Sequence, residues 1–133
     1  MYTIGYDVGS SSIKAALFDC VNGNAVYKST FPKTEMTIEA KHSDWAEQDP
    51  GTWWNAVVMA TKDILANSKI KPADISAIGI SYQMHGLVVV DKNFNPLRSS
   101  IIWCDSRAVE IGDNAFKELG NEYCLNKVLM KKV

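Results

Sequence analysis

Apolar and polar positions alternate from the first residues, and Tyr2–Asp19 reads as a strand, a tight Gly/Ser turn and a second strand. The turn holds Gly9, Ser10, Ser11 and Ser12, and Asp7 sits where the first strand runs out. Val21-Asn22-Gly23-Asn24 has the composition of a turn between antiparallel strands, and Ala25–Lys33 is predicted as a third strand ending near Pro32. Thr34–Gln48, which carries His42, Ser43 and Trp45, has mixed polarity and no period, so it reads as a loop with room for extended pieces. A helix is predicted from Asp49, with aspartate as N-cap and Pro50 at the first helical position. Trp54, Val57, Val58, Thr61, Ile64 and Leu65 recur at helical spacing, Trp53 and Ala60 widen that apolar face, and Asn67-Ser68 with Pro72 ends it.

The second half is more apolar. Pro72-Ala73-Asp74 is predicted as a helical turn leading into Ile75–Tyr82, a strand with little charge that reads as buried on both faces, like a central parallel strand. Gln83-Met84-His85-Gly86 interrupts it, Leu87–Asp91 resumes as another apolar strand, and Lys92–Pro96 is a turn. Ile101-Ile102-Trp103 is a short strand, after which Asp105 or Ser106 caps a last helix running to about Leu119 and stopped by Gly120. Nothing firm follows Gly120, and Lys127–Val133 turns basic. Three strands, a helix, three strands and a helix make a mixed sheet with flanking helices, an α/β layered domain without repeats or linkers.

With 133 residues and 47% apolar composition, the chain can bury a core as one domain. Its net charge is -1, from 14 basic and 15 acidic residues without long blocks of either sign, so nothing points to nucleic acid or anionic lipid. Cys20, Cys104 and Cys124 are odd in number and lack CxxC spacing, which favours reduced thiols in the cytoplasm over disulfides or zinc. No secretory signal opens the sequence, and its apolar runs are too short to span a bilayer.

Three polar interruptions can carry chemistry. Gly9 lets an anion approach the backbone, Ser10, Ser11 and Ser12 offer hydroxyls and N–H groups, Lys14 offers a counter-charge, and Asp7 is placed to hold hydrated Mg²⁺. An ordinary hairpin turn uses the same residues. Beyond a buried strand, His85 can donate to a hydroxylated ligand and Met84 can supply apolar contact, although a structural histidine fits too. Trp103 can pack on a sugar face while Asp105 and Arg107 bond hydroxyls or each other; a helix cap with a local salt bridge reads equally well. The Trp53-Trp54 pair could stack on a ligand, but at helical spacing it reads as core. Nucleophilic triads, GxxxxGK[ST] and His-rich metal patterns are absent from the sequence.

Four ordered motifs carry a resemblance. Gly5–Lys14 resembles the opening phosphate loop of the FGGY carbohydrate kinases, and Ala46-Glu47-Gln48-Asp49-Pro50 with Trp53-Trp54 looks like the entry to their first helix. Ser81–Gly86 is similar to the Gly-Gln-Met-His-Gly element of the xylulokinases within that family, and Ile101–Arg107 to their Trp-x-Asp-x-Arg stretch. The resemblance implies an actin-like, ribonuclease-H-like α/β fold and ATP- and Mg²⁺-dependent phosphorylation of D-xylulose at its terminal hydroxyl, giving xylulose 5-phosphate. Carried over by motif, Asp7 matches the catalytic-site aspartate near Mg²⁺, holding it through water. Gly9, Ser10, Ser11 and Lys14 match the loop around the ATP phosphates. Met84 and His85 match the pair contacting the ketose, and Trp103, Asp105 and Arg107 match a stretch near the sugar pocket.

The resemblance covers residues 1–133 as the N-terminal part of the first, sugar-binding domain, so an incomplete domain is expected. The family's general-base aspartate and adenosine-binding domain lie downstream of these motifs, and Lys127–Val133 departs from the usual continuation. Negligible kinase activity is therefore expected of the isolated chain. Sugar and ATP are its expected partners, with neither nucleic acid nor membrane, and a sheet cut short should expose apolar edges and self-associate, as a homodimer or swapped dimer. The alternatives are a non-catalytic actin-like module that binds sugar or a partner, and a related ketose or polyol kinase.

Overall fold

The computed structural model describes residues 1–128. The opening hairpin forms as its alternation requires: β1 (Tyr2–Val8) pairs antiparallel with β2 (Ile13–Asp19), which pairs antiparallel with β3 (Asn24–Phe31). At the β2–β3 turn the Asp19 carboxylate accepts from Val21 N at 2.9 Å and Asn22 Nδ2 at 2.6 Å, while Gly23 takes a φ of 69°. Alternation puts Ile4, Tyr6, Ile13, Ala15 and Leu17 on the buried face and Asp7, Lys14 and Phe18 on the other.

Helix α1 (Pro50–Ser68) covers the buried face, mainly over β2 and β3. Asp49 caps it from extended backbone by accepting Gly51 N at 2.8 Å, and Lys69, left-handed at φ 59°, ends it. Ala56, Ala60 and Ile64 meet the sheet residues in one core, each fully buried Ile or Leu contributing about 1.5–3 kcal/mol. Two cross-links fix the helix laterally: Tyr6 Oη with Thr61 Oγ1 at 2.7 Å, and Ser29 Oγ donating to Asp63 Oδ2 at 2.6 Å.

A 3₁₀ turn (Pro72–Asp74) leads into β5 (Ile75–Tyr82), which runs parallel to β1 and completes a mixed sheet of order β3-β2-β1-β5. A second, two-stranded sheet joins β4 (Glu47–Gln48) to β6 (Ser100–Ile101). Helix α2 (Val109–Leu119) ends at Gly120, and a short α3 (Asn121–Tyr123) runs into a π-helical turn, Cys124–Val128. This is the actin-like α/β arrangement expected from the sequence. Among the described residues no helix is long and apolar enough to cross a membrane. The basic ending expected over Lys127–Val133 falls largely outside the described residues.

Several expectations are corrected. Ile75–Tyr82 is not buried on both faces: it forms the sheet edge, α1 lies over β2 and β3, and Ile78 and Ile80 remain 64% and 65% exposed. Trp54 is likewise not core but 67% exposed, beside a groove of about 710 Å³ that Ile78 and Ile80 help to line. Leu87–Asp91 forms no strand; it makes single bridges, Leu87 to Ile101 and Val90 to Pro96, around a turn held by the Asp91 carboxylate. The strand expected at Ile101–Trp103 is Ser100–Ile101, and its partner comes from the segment read as a loop. Neither Asp105 nor Ser106 caps α2, which starts after Ala108, because both are bonded to the 44–46 segment instead. Finally, where the sequence offers nothing firm after Gly120, residues 121–128 are helical.

Candidate functional site

The parallel pair decides where the site is. Asp7 stands beside Ser81 and Val8 beside Tyr82, and Gln83 N continues the ladder by donating to Val8 O at 3.0 Å. The segments that follow β1 and β5 therefore emerge together at the strands' carboxyl ends, where open α/β sheets bind ligands. One segment is the Gly9–Ser12 loop and the other is Gln83–Gly86.

The loop is closed by Gly9 N donating to Ser12 O at 3.2 Å. A Cβ at Gly9 would sit 3.1 Å from that carbonyl, so a side chain there would push the turn apart by a few tenths of an ångström. Ser11 O accepts Met36 N at 2.8 Å, and Ser10 is held twice more: its carbonyl accepts Gln48 Nε2 at 2.7 Å, and its hydroxyl accepts Trp103 Nε1 at 3.2 Å. Asp7 pairs across the strands with Lys14, 3.6 Å apart, and both side chains stay more than half exposed. Solvent screens such a pair, leaving the carboxylate open to a hydrated cation. Among the described residues no group of three His, Cys, Asp or Glu converges on a cage. A single exposed carboxylate fits Mg²⁺ that keeps most of its waters and shares phosphate oxygens.

On the other segment, Met84 is 64% exposed and His85 adopts a φ of 63°, a strained conformation for a residue with a side chain. Gly86 lies so close to the next segment that a Cβ would approach Ile101 O to 3.2 Å, and Leu87 N donates to the same carbonyl at 2.8 Å. Both polar atoms of the Gln83 side chain are buried without a protein partner among the described residues. Burying an amide unpaired costs about 1–3 kcal/mol.

Asp105 and Arg107 do not face the loop. Arg107 grips Asp105 twice, Nε to Oδ1 at 2.8 Å and Nη2 to Oδ2 at 2.7 Å, and reaches Glu47 Oε1 at 2.8 Å. Arg98 bonds the same Glu47 oxygen. Asp105 also accepts Ala46 N at 2.6 Å, and the Arg107 guanidinium lies 3.8 Å over the Trp45 ring, which tilts against His42. The Arg107 bond, then Ala46 N, holds the Asp105 carboxyl down at about 2, against an ordinary 3.8, although burial opposes them. Arg107 also lowers Glu47, and the two carboxylates raise Arg107. The local salt bridge read from the sequence is thus present. It locks residues 44–48 to 100–107 and so carries Trp103 to the loop.

Sequence reasoning missed Gln48, Glu47 and Arg98. Gln48 is fully buried, donating to Ser10 O and to Thr37 O at 3.2 Å while its Oε1 accepts Trp53 Nε1 at 3.0 Å. No spacing rule links residues 38 positions apart; the only local signal was two polar residues, Glu47 and Gln48, directly before a helix cap.

Residues 2–131 match the FGGY family of carbohydrate kinases, N-terminal domain. A xylulose kinase of Klebsiella pneumoniae is 36% identical over 107 residues, covering 80% of this chain and 21% of that protein. A glycerol kinase of Borreliella afzelii is 34% identical over 127 residues, 95% of this chain and 25% of its own length. The crystal structure of gluconate kinase from Lactobacillus acidophilus superposes with a TM-score of 0.84 at 30% identity, over 98% of this chain and 25% of that one. The chain thus spans a fifth to a quarter of the length of these relatives. The loop-bearing hairpin, the parallel strand beside it and a match across nearly the whole sequence lead to one assignment: this chain belongs to the FGGY family of carbohydrate kinases.

Proposed function

We propose that residues 1–133 form the N-terminal part of the first, sugar-binding domain of a cytoplasmic, ATP- and Mg²⁺-dependent xylulokinase. The enzyme would convert D-xylulose to xylulose 5-phosphate. The observation that carries this reading is the Met84-His85 pair at the carboxyl end of β5, directly across from the Gly9–Ser12 loop at the end of β1. ATP supplies the phosphoryl group and Mg²⁺ offsets its charge, in a transfer governed mainly by positioning. Asp7 orients the hydrated metal, and Lys14 balances charge beside it. Gly9, Ser10 and Ser11 present backbone and hydroxyl groups to the phosphates. His85 donates to a ketose hydroxyl, Met84 packs against the carbon chain, and Trp103 lies against the sugar's C–H face. Asp105 and Arg107 serve the sugar wall indirectly by holding Trp103 in place.

Asp7, paired with Lys14, would hold the hydrated metal rather than take the proton from the attacking hydroxyl. General-base catalysis contributes about 10²–10⁴-fold, and adenosine contacts add binding energy; in the family this stretch resembles, both are expected from residues beyond it. The chain by itself is therefore expected to show negligible kinase activity, and xylulose-dependent ADP formation at an ordinary enzyme rate in a coupled assay would overturn that. In a full-length kinase carrying this stretch, His85→Ala should raise KM for D-xylulose about 10–100-fold with a smaller change in KM for ATP. A ketose and polyol panel on that enzyme decides the substrate. The glycerol and gluconate kinases among the relatives favour a second reading, a related polyol or sugar-acid kinase, which wins if xylulose is not the preferred acceptor.

A further inference from the structure

Gln48 is only 1% exposed, and its partners admit a single orientation of its amide. The indole N–H of Trp53 can only donate, and it reaches Oε1 at 3.0 Å. The carbonyls of Ser10 and Thr37 can only accept, and they take Nε2 at 2.7 and 3.2 Å. Turning the amide over would set Nε2 against the indole N–H and Oε1 against two carbonyls. Trp53 therefore keys the donor end of Gln48 toward the loop. The same patch holds the next carbonyl as well, because Met36, the neighbour of Thr37, donates its N–H to Ser11 O at 2.8 Å. Alternation along β4 divides the work: Glu47 turns to Arg98 and Arg107, and Gln48 turns to the loop.

Peptide geometry converts those two carbonyl bonds into a direction for the loop's donors. The Ser10–Ser11 and Ser11–Ser12 peptides are trans, and in a trans peptide the C=O and the N–H point opposite ways. With Ser10 O and Ser11 O both drawn to the patch of Met36, Thr37 and Gln48, the N–H groups of Ser11 and Ser12 face away from it. Neither takes a backbone acceptor among the described residues, and Ser11 is exposed. Gly9 N is engaged by Ser12 O at 3.2 Å, so it closes the loop and is not a free donor. Two successive N–H groups turned to one side of the chain are the donors of an anion-binding nest.

We propose that Gln48, keyed by Trp53, is a positioning residue for phosphate binding. It holds the Ser10–Ser11 peptide so that the Ser11 N–H, with the Ser12 N–H beside it, is presented to a phosphate oxygen. Gln48 itself touches no ligand. The inference rests on the reading of Gly9–Ser12 as a phosphate loop and is independent of the sugar phosphorylated.

The test is a titration of the isotope-labelled 133-residue chain with inorganic pyrophosphate, each amide being followed by NMR at an ionic strength held constant with sodium chloride. The Ser11 and Ser12 amides should move and saturate. Gln48→Met keeps the length of the side chain and removes its polar atoms. Its affinity should fall about tenfold or more, as expected for misdirecting one N–H bond to a charged group. Trp53→Phe leaves Gln48 in place but unkeyed and should weaken binding in the same direction; it decides alone if Gln48→Met does not fold. Leu17→Ala is the control for stability, since it loosens the core toward the far end of β2 and should bind as the wild-type chain does. Wild-type affinity in Gln48→Met, or in Trp53→Phe where that is the folded variant, would overturn the inference and leave the phosphate loop standing. An equal loss in Leu17→Ala would overturn it too, because affinity would then follow stability and not the direction of the Ser11 N–H. Ser11 and Ser12 amides that ignore pyrophosphate in the wild-type chain would overturn the phosphate-loop reading and this inference with it.

Discussion

A buried amide is stable in a protein only when its polar atoms are used, and Gln48 uses both of them on three different segments. Gln48→Leu keeps the volume but leaves the carbonyls of Ser10 and Thr37 and the indole N–H of Trp53 without this partner. The cost is expected to be about 2–4 kcal/mol, read as a lower urea midpoint at unchanged m-value. Asp105 gives a residue-scale pH dependence. Its carboxyl is held at about 2 in the fold against an ordinary 3.8, with Arg107 as the main cause. A folded value below the unfolded one means the stabilisation is complete above roughly pH 5 and is lost as pH falls through about 4 toward 2. Glu47 shifts in the same direction, again because of Arg107. Asp105→Asn should lower stability at neutral pH and flatten the acid limb of a Tm-against-pH curve. An unchanged acid limb would show that the Arg107 contact does not set it.

At the scale of elements, α1 rests on a cap and on a narrow stripe of small residues. Asp49→Ala removes the acceptor for Gly51 N and is expected to cost about 1 kcal/mol in a denaturant titration. Leu17→Ala acts from the opposite side of the same contact. Leu17 is fully buried beneath the helix, so the loss should be about 2–5 kcal/mol, depending on how far Ala56, Ala60 and Ile64 collapse into the cavity. The contrast with α2 is instructive. Asp105 and Ser106 have the chemistry of caps and lie close to the helix start. Competing partners at Ala46 N and Asp44 O take them first, and α2 begins without a side-chain cap.

At the scale of the molecule, core and site occupy different parts of one sheet. The core sits under α1 on β1–β3, whereas the loop, Gln83–Gly86 and Trp103 gather at the carboxyl ends of β1 and β5. The face of β5 is left bare between them.

The local elements were legible in the sequence because local physics decides them. The period of two sorts Ile4, Tyr6, Ile13 and Leu17 onto one face of a hairpin, and Asp49-Pro50 starts a helix wherever that segment lies in the fold. Residue order alone also placed Asp7 at the end of a strand and Gly9 and Met84-His85 just beyond strands. Only the tertiary structure decided which of these strands lie side by side, and the consequences follow from that neighbourhood. Ile78 and Trp54 have core composition and are exposed, because α1 crosses β2 and β3 rather than β5. Glu47 and Arg107 meet across 60 positions, and Trp103 and Ser10 across 93. Periodicity reports a residue's preference for burial or exposure, while its partner depends on how distant segments pack. The Gly9–Ser12 loop was therefore visible as a motif, but the buried amide and the ion-pair lock that hold it were not.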